Sequence, residues 1–173
     1  RGTFVMKIYL DMDGVLADFF TGFAERFGKD HWKMIENKER AISELKGTNF
    51  FYTLEPFGGA SELTEFVQTL VGKNNYGINS SPLAGDRDNS VYWKRRWLEK
   101  HWLMPPLENL IFTGRKEQYA TDRIDGTPNV LVDDKPSNIN RWNAKGGIGI
   151  LYQANQDSLV MLKQKLIKVV ESS

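Results

Sequence analysis

The sequence predicts an α/β protein on a doubly wound, mostly parallel sheet, with a helical insertion after the first strand. Three observations carry this. Short apolar, β-prone runs alternate with helical patterns from about residue 76 onward. The stretch from about residue 18 to 75 holds no clear strand. Four of the predicted strands end on polar groups, as expected where a parallel sheet presents a ligand site at its carboxyl edge.

The first strand is Lys7-Ile8-Tyr9-Leu10, an apolar run that stops on Asp11 and Asp13. Side chains two apart on a strand point the same way, so both carboxylates are expected together. Gly14 then frees the backbone to turn. Leu16, Phe19, Phe20, Phe23 and Phe27 have helical spacing, and Gly28 is the expected stop. Trp32, Ile35, Ile42 and Leu45 lie among many charges and suggest one or two exposed helices. Lys46 to Asn49 and Leu54 to Gly59 read as connections around Phe50-Phe51-Tyr52. Ser61 is the expected cap of a helix running to about Val71.

Tyr76 to Asn79 is the second strand, ending at Ser80-Ser81-Pro82. An amphipathic helix is expected from about Ser90 to His101, with Val91, Trp93, Trp97 and Leu98 apolar and Lys94, Arg95 and Arg96 basic. Leu110-Ile111-Phe112 is a third strand, closed by Thr113-Gly114-Arg115-Lys116. Val130-Leu131-Val132 is a fourth, ending on Asp133-Asp134. A helix over Ser137 to Ala144, a strand within Gly146 to Leu151 and a helix over Ser158 to Val170 complete the chain.

A chain of 173 residues, 40% hydrophobic and 26% charged, suits one compact domain with a small insertion. The net charge of +1 gives no global field toward nucleic acid or an anionic membrane. There is no cysteine, which excludes disulfide and thiolate chemistry and fits a cytoplasmic protein. No apolar run approaches a membrane span, and no signal peptide is visible. Arg1 to Val5 precede Met6, the expected natural start, and read as an expression remnant.

The polar strand ends fit phosphoryl transfer. Asp11 can attack phosphorus as a carboxylate. Asp13 can protonate the leaving oxygen and later take a proton from water. An anionic nucleophile approaching a phosphate dianion is repelled, and Mg²⁺ and a lysine offset that charge. Asp11, the backbone carbonyl of Asp13, and Asp133 are the expected metal ligands, with Asp134 on a metal-bound water. Ser80 can donate to one phosphoryl oxygen and Lys94 can neutralise another. Taken singly, each has a blander reading. Asp-rich turns and strand-ending serines are common turn chemistry, and a lysine on an amphipathic helix is usually solvated. An EF-hand loop wants glycine at its sixth position, whereas Gly14 is fourth from Asp11.

Asp11-Met12-Asp13-Gly14-Val15-Leu16, the strand into Ser80, Lys94, and Val130 to Asp134 resemble the four motifs of the haloacid dehalogenase (HAD) superfamily. Asp11 to Phe19, Asn49-Phe50-Phe51, Leu54-Glu55-Pro56, Ser80-Ser81-Pro82, Lys94 with Trp97, and Asp133 to Pro136 resemble one branch, the 5′(3′)-deoxyribonucleotidases. The resemblance implies a Rossmann-like core over residues 6–17 and 76–173, with a helical cap and return helix over 18–75. It also implies Mg²⁺-dependent removal of phosphate from nucleoside monophosphates. Phe19, Trp32 and Phe51 would line an aromatic pocket for the base, and Ser81 would add a phosphate or sugar contact. Arg115 and Lys116 would be substrate ligands. Two departures stand out: Ser80 replaces the commoner threonine, and Gly114 separates Arg115 from the threonine that the family's arginine follows directly.

Other classes stay open at this level. A HAD phosphatase could act on a sugar phosphate or a nucleic-acid 3′ end. A non-catalytic phosphate-binding module is a third class. A receiver domain also uses Asp, Thr and Lys, but its phosphorylated Asp lies at a later strand. The expected partner is a small nucleotide rather than nucleic acid or a membrane, and a homodimer is left open.

Overall fold

The computed structural model describes residues 6–173, so the expression-remnant reading of residues 1–5 lies outside the described residues. Five strands form one parallel sheet: β1 (Ile8–Leu10), β2 (Tyr76–Ser80), β3 (Leu110–Phe112), β4 (Val130–Asp133) and β5 (Ile148–Leu151). Their order is β3-β2-β1-β4-β5, with Ile8 in register with Tyr76 on one side and Val130 on the other. The chain winds outward from β1 to β3, then returns to β4 and β5. The topological switch lies at β1, where open α/β sheets bind ligands.

Both faces of the sheet are covered, which is why its strands read as continuous apolar runs. Ile8, Leu10, Ile78, Val130 and Val132 join the larger core. Helix α4 (Ala60–Val71) supplies Leu63 and Val67 to it, and α7 (Leu159–Glu171) supplies Leu162 and Leu166. Tyr9 and Leu131 point the other way, against Ile139 and Trp142 of α6 (Pro136–Ala144). Trp97 and Trp142 are fully buried, and their indole N–H groups donate to the carbonyls of Leu54 and Asn129.

The insertion begins with α1 (Phe19–Arg26), α2 (Lys38–Ser43) and α3 (Phe50–Thr53), with a 3₁₀ turn at Trp32–Met34 between the first two. Phe23, Ile35, Leu45, Phe50 and Phe51 belong to the same apolar cluster as the sheet. The insert therefore packs as an extension of the core.

Helix boundaries differ from expectation for local reasons. Helix α1 begins at Phe19, not Leu16, because the amides of Leu16 and Ala17 turn back to the carbonyl of Met12. Asp18 caps it by accepting from the amide of Thr21. Ser61 is not the cap of α4; Gly59 stands there and Ser61 lies in the first turn. Helix α5 (Arg87–Lys100) begins at Arg87 rather than Ser90. Ser90 is buried, accepting from the amide of Leu83 and donating to the carbonyl of Arg87.

Gly77 marks a close approach in the sheet. A Cβ there would lie 2.6 Å from the Tyr9 ring and 3.0 Å from the backbone oxygen of Asn109. Gly77→Ala is expected to destabilise the fold by about 1–3 kcal/mol through overpacking. Urea unfolding measures this, and an unchanged midpoint would contradict the packing described.

Candidate active site

The carboxyl ends of β1, β2 and β4 open onto a cavity of about 300 Å³. Asp11, Asp13, Phe19, Ser80, Ser81, Lys94, Lys116, Asp133, Asp134, Lys135 and Asn138 line it. A roomier groove of about 490 Å³ lies among Met6, Pro128, Ile148 and Val169, but Lys168 is its only charged side chain. Of the two, only the smaller gathers carboxylates against ammonium groups.

Two buried lysines organise it. Lys94, on α5, is 1% exposed, so it is no solvated helix face. Its Nζ lies 3.1 Å from Asp13 Oδ2, 2.9 Å from Ser80 Oγ and 2.8 Å from the carbonyl oxygen of Ser81. The Phe51 ring lies beneath it, 4.7 Å from centroid to Nζ. Lys116 opens a 3₁₀ turn after β3 and is 2% exposed. Its Nζ lies 3.0 Å from Asp11 Oδ1 and 2.8 Å from Asp133 Oδ2.

Asp133 is fully buried and held from several sides. Its Oδ1 accepts from the amide of Lys135, and its Oδ2 from Lys116 and Asn138 Nδ2. Asp11 Oδ1 accepts from the amide of Met12 as well as from Lys116. Asp13 differs. Its Oδ2 meets Lys94, and its buried Oδ1 has no partner among the described residues.

Charge crowding shifts the titration of this cluster. Burial pushes Asp11 well above the usual carboxylate range, and Asp133, Asp134 and Asp13 push the same way against the pull of Lys116. Asp134 is pushed up to about 7, by burial first and then by Asp133 and Asp13. Burial alone would lower Lys116, but Asp11 and Asp133 outweigh it and hold its pKa above the ordinary value.

The group fits a hard divalent cation. Asp11, Asp133 and Asp134 each offer an oxygen, all within 4.8 Å of one another. The orphaned Asp13 Oδ1 and the raised Asp11 and Asp134 are what uncompensated negative charge looks like. Gly14 (φ +87°) keeps the space open, since a Cβ there would lie 2.2 Å from Asp134 Oδ2.

The family model for 5′ nucleotidase, deoxy (pyrimidine), cytosolic type C protein (NT5C) matches residues 5–162. The chain belongs to that family. It is similar to the mitochondrial 5′(3′)-deoxyribonucleotidase of Homo sapiens, 30% identical over 152 residues, covering 76% of this chain and 63% of that protein. The human cytosolic type is 28% identical over 151 residues, covering 75% and 71%. This chain thus spans less than two thirds of the length of the mitochondrial relatives it matches. In fold it is similar to a HAD family hydrolase from Deinococcus radiodurans R1, with a TM-score of 0.52 and 15% identity, covering 92% of this chain and 87% of that one. The core is an α/β Rossmann-like HAD core.

The structure gathers most of the sequence candidates into the cavity and leaves some outside. Asp11, Asp13, Asp133, Asp134, Ser80, Ser81, Lys94, Lys116 and Phe19 line it. Phe51 is buried under Lys94, so it shapes the site from behind. Trp32 packs on Phe20 at 5.6 Å between centroids, outside the cavity lining. Arg115 is exposed and also outside it. Lys116 sits in an ion-pair triad with Asp11 and Asp133. Asn138 and Lys135 were missed. Asn138 lies one helical turn beyond a strand-end aspartate, a spacing that returns its amide to that carboxylate only if a helix starts immediately, as Pro136 makes it do.

The raised Asp134 gives a signed pH dependence. A carboxyl with a raised folded-state pKa contributes stability that is fully present below its ordinary pKa and is lost as pH rises through about 7. In EDTA, Asp134→Asn is therefore expected to unfold several degrees above wild type at pH 8, with the gap closing by pH 4.5. Thermal melts across that range measure it, and curves parallel at all pH values would contradict it.

Proposed function

We propose that the protein is a Mg²⁺-dependent phosphomonoesterase that hydrolyses deoxyribonucleoside monophosphates to nucleoside and phosphate. The observation that carries the reading is Lys94: a buried ammonium joined to Asp13, Ser80 and the Ser81 carbonyl above the strand that presents Asp11. Family membership supports the substrate class.

The steps follow from the residues. The Asp11 carboxylate attacks phosphorus, forming an aspartyl phosphate as the ester P–O bond breaks. Asp13 donates a proton to the departing oxygen. Its Oδ1 is the atom free to carry that proton, because Oδ2 is tied to Lys94. Asp13 then takes a proton from water, which attacks phosphorus and returns Asp11 to a carboxylate with release of inorganic phosphate. Lys94 and Ser80 hold phosphoryl oxygens. Asp11, Asp133 and Asp134 would hold Mg²⁺, with Asp13 lending its backbone carbonyl, and the bound ion would supply positive charge against the phosphate dianion. The cavity needs it: four carboxylates face three ammonium groups there, and a dication reverses that sign.

Phe19 supplies an aromatic face for the base, stacked on Phe23 at 5.0 Å and thereby held in place. The same reading assigns residues 6–17 and 76–173 to the catalytic core and 18–75 to the cap and return helix. A cytoplasmic site of action belongs to it as well. A second reading, a phosphatase for a smaller ester such as a sugar phosphate, is favoured by one observation. Of the three aromatic candidates, only Phe19 lines the cavity.

Phosphate release from a panel of 5′- and 3′-nucleoside monophosphates, deoxy and ribo, beside sugar phosphates, decides between them. Hydrolysis of deoxynucleotides is expected to vanish with EDTA and to fall at least ~10³-fold in Asp11→Asn. Metal-dependent turnover of sugar phosphates alone would keep the mechanism and replace the substrate. Turnover that survives Asp11→Asn would reject the aspartyl phosphate.

A further inference from the structure

Asp133 is fully buried, and its Oδ2 accepts from Asn138 Nδ2 at 3.0 Å. Shape does not settle which end of the Asn138 amide faces that carboxylate, because the oxygen and NH₂ ends are nearly alike in size. The partner at the other end settles it. Asn138 Oδ1 accepts from Arg141 Nη2 at 2.5 Å, one turn further along α6. Among the described residues, Arg141 is the only partner of that oxygen. A guanidinium donates and cannot accept, so it holds only the oxygen end. The NH₂ is then left for Asp133. Turned over, the amide would set its oxygen against the Asp133 carboxylate and its NH₂ against the guanidinium. Asn138 is buried, so water would not make good the two lost hydrogen bonds.

Arg141 itself lies outside the cavity lining, with its side chain 48% exposed. Its Nε lies 3.6 Å from Glu117 Oε1, in the turn after β3, so a second element steadies the guanidinium. We infer that Arg141 is a positioning residue for the acidic group: it fixes the amide of Asn138, and Asn138 fixes the Asp133 carboxylate in the orientation that meets a divalent cation. Outer partners of this kind hold a metal-ligating carboxylate in place without touching the ion. This rests on Asp11, Asp133 and Asp134 being the metal site, as proposed above. The inference carries a sign that separates it from charge alone. Removing a cation near an acidic group would tighten Mg²⁺ binding slightly, since solvent screens a half-exposed charge. Removing the group that aims Asn138 weakens it.

Calorimetric titration with Mg²⁺ alone tests it, on wild type, Arg141→Ala, Arg141→Lys, Asn138→Ala, the double variant of Asn138→Ala with Arg141→Ala, and Asp133→Asn. Arg141→Ala is expected to bind Mg²⁺ about tenfold more weakly than wild type. Arg141→Lys keeps a donor for Asn138 Oδ1 and is expected to recover most of that loss. In the Asn138→Ala background, Arg141→Ala is expected to cost nothing further, because the amide it aims is gone. Binding by Arg141→Ala as tight as wild type, or tighter, overturns the inference. So does an equal loss in Arg141→Lys, or a loss in the double variant equal to the product of the single losses. In each of these cases, wild-type binding that Asp133→Asn abolishes leaves the metal site standing. No Mg²⁺ binding by wild type overturns both. Should Asn138→Ala fold poorly, Arg141→Ala against Arg141→Lys decides alone, since both are good helix formers at a half-exposed position.

Discussion

The cavity depends on keeping four carboxylates where their own repulsion would scatter them. Because β1 and β4 are paired in register, Asp11 and Asp133 leave the sheet side by side. At an effective dielectric near 20, two charges about 5 Å apart repel by roughly 3 kcal/mol. Two buried lysines offset this, Lys116 between Asp11 and Asp133 and Lys94 against Asp13. A buried ammonium is itself costly unless its donors are satisfied. Each has at least two oxygen partners, so the acidic and basic halves of the site stabilise one another.

That balance is incomplete, and the shortfall is informative. Asp13 Oδ1 has no described partner, and Asp11 and Asp134 are held above the ordinary carboxylate range. Strain of this kind persists where the surrounding fold is stable enough to hold it. Here two apolar clusters clamp the sheet from both faces, and the indoles of Trp97 and Trp142 are fully buried with their N–H groups satisfied. A positively charged ligand among the carboxylates would relieve the strain, and an anionic substrate would then be attracted.

The strands and their terminal acids were legible because an apolar run that stops on carboxylates is a local pattern. It needs no knowledge of what lies across the sheet. Helix starts were less legible. Ser61 and Ser90 are cap-type residues, but Gly59 and Asp86 occupy the cap positions, and Ser90 instead ties the Leu83 loop to α5. The site partners were least legible. Asn138 reaches Asp133 through a helix turn, and Trp32 fell outside the cavity because it sits in a short 3₁₀ turn after α1, packed against Phe20.

The sequence by itself determined the fold class, the strand ends and the chemical identity of the acids and lysines. Those follow from periodicity and residue type along a few consecutive positions. Only the tertiary structure decided which lysine serves which carboxylate. Lys94 and Lys116 come from different elements, α5 and the turn after β3, and nothing local distinguishes their reach. The strand order does: β2 flanks β1 and brings Ser80 and Lys94 to Asp13, while the turn after β3 carries Lys116 over β1 to the Asp11–Asp133 gap.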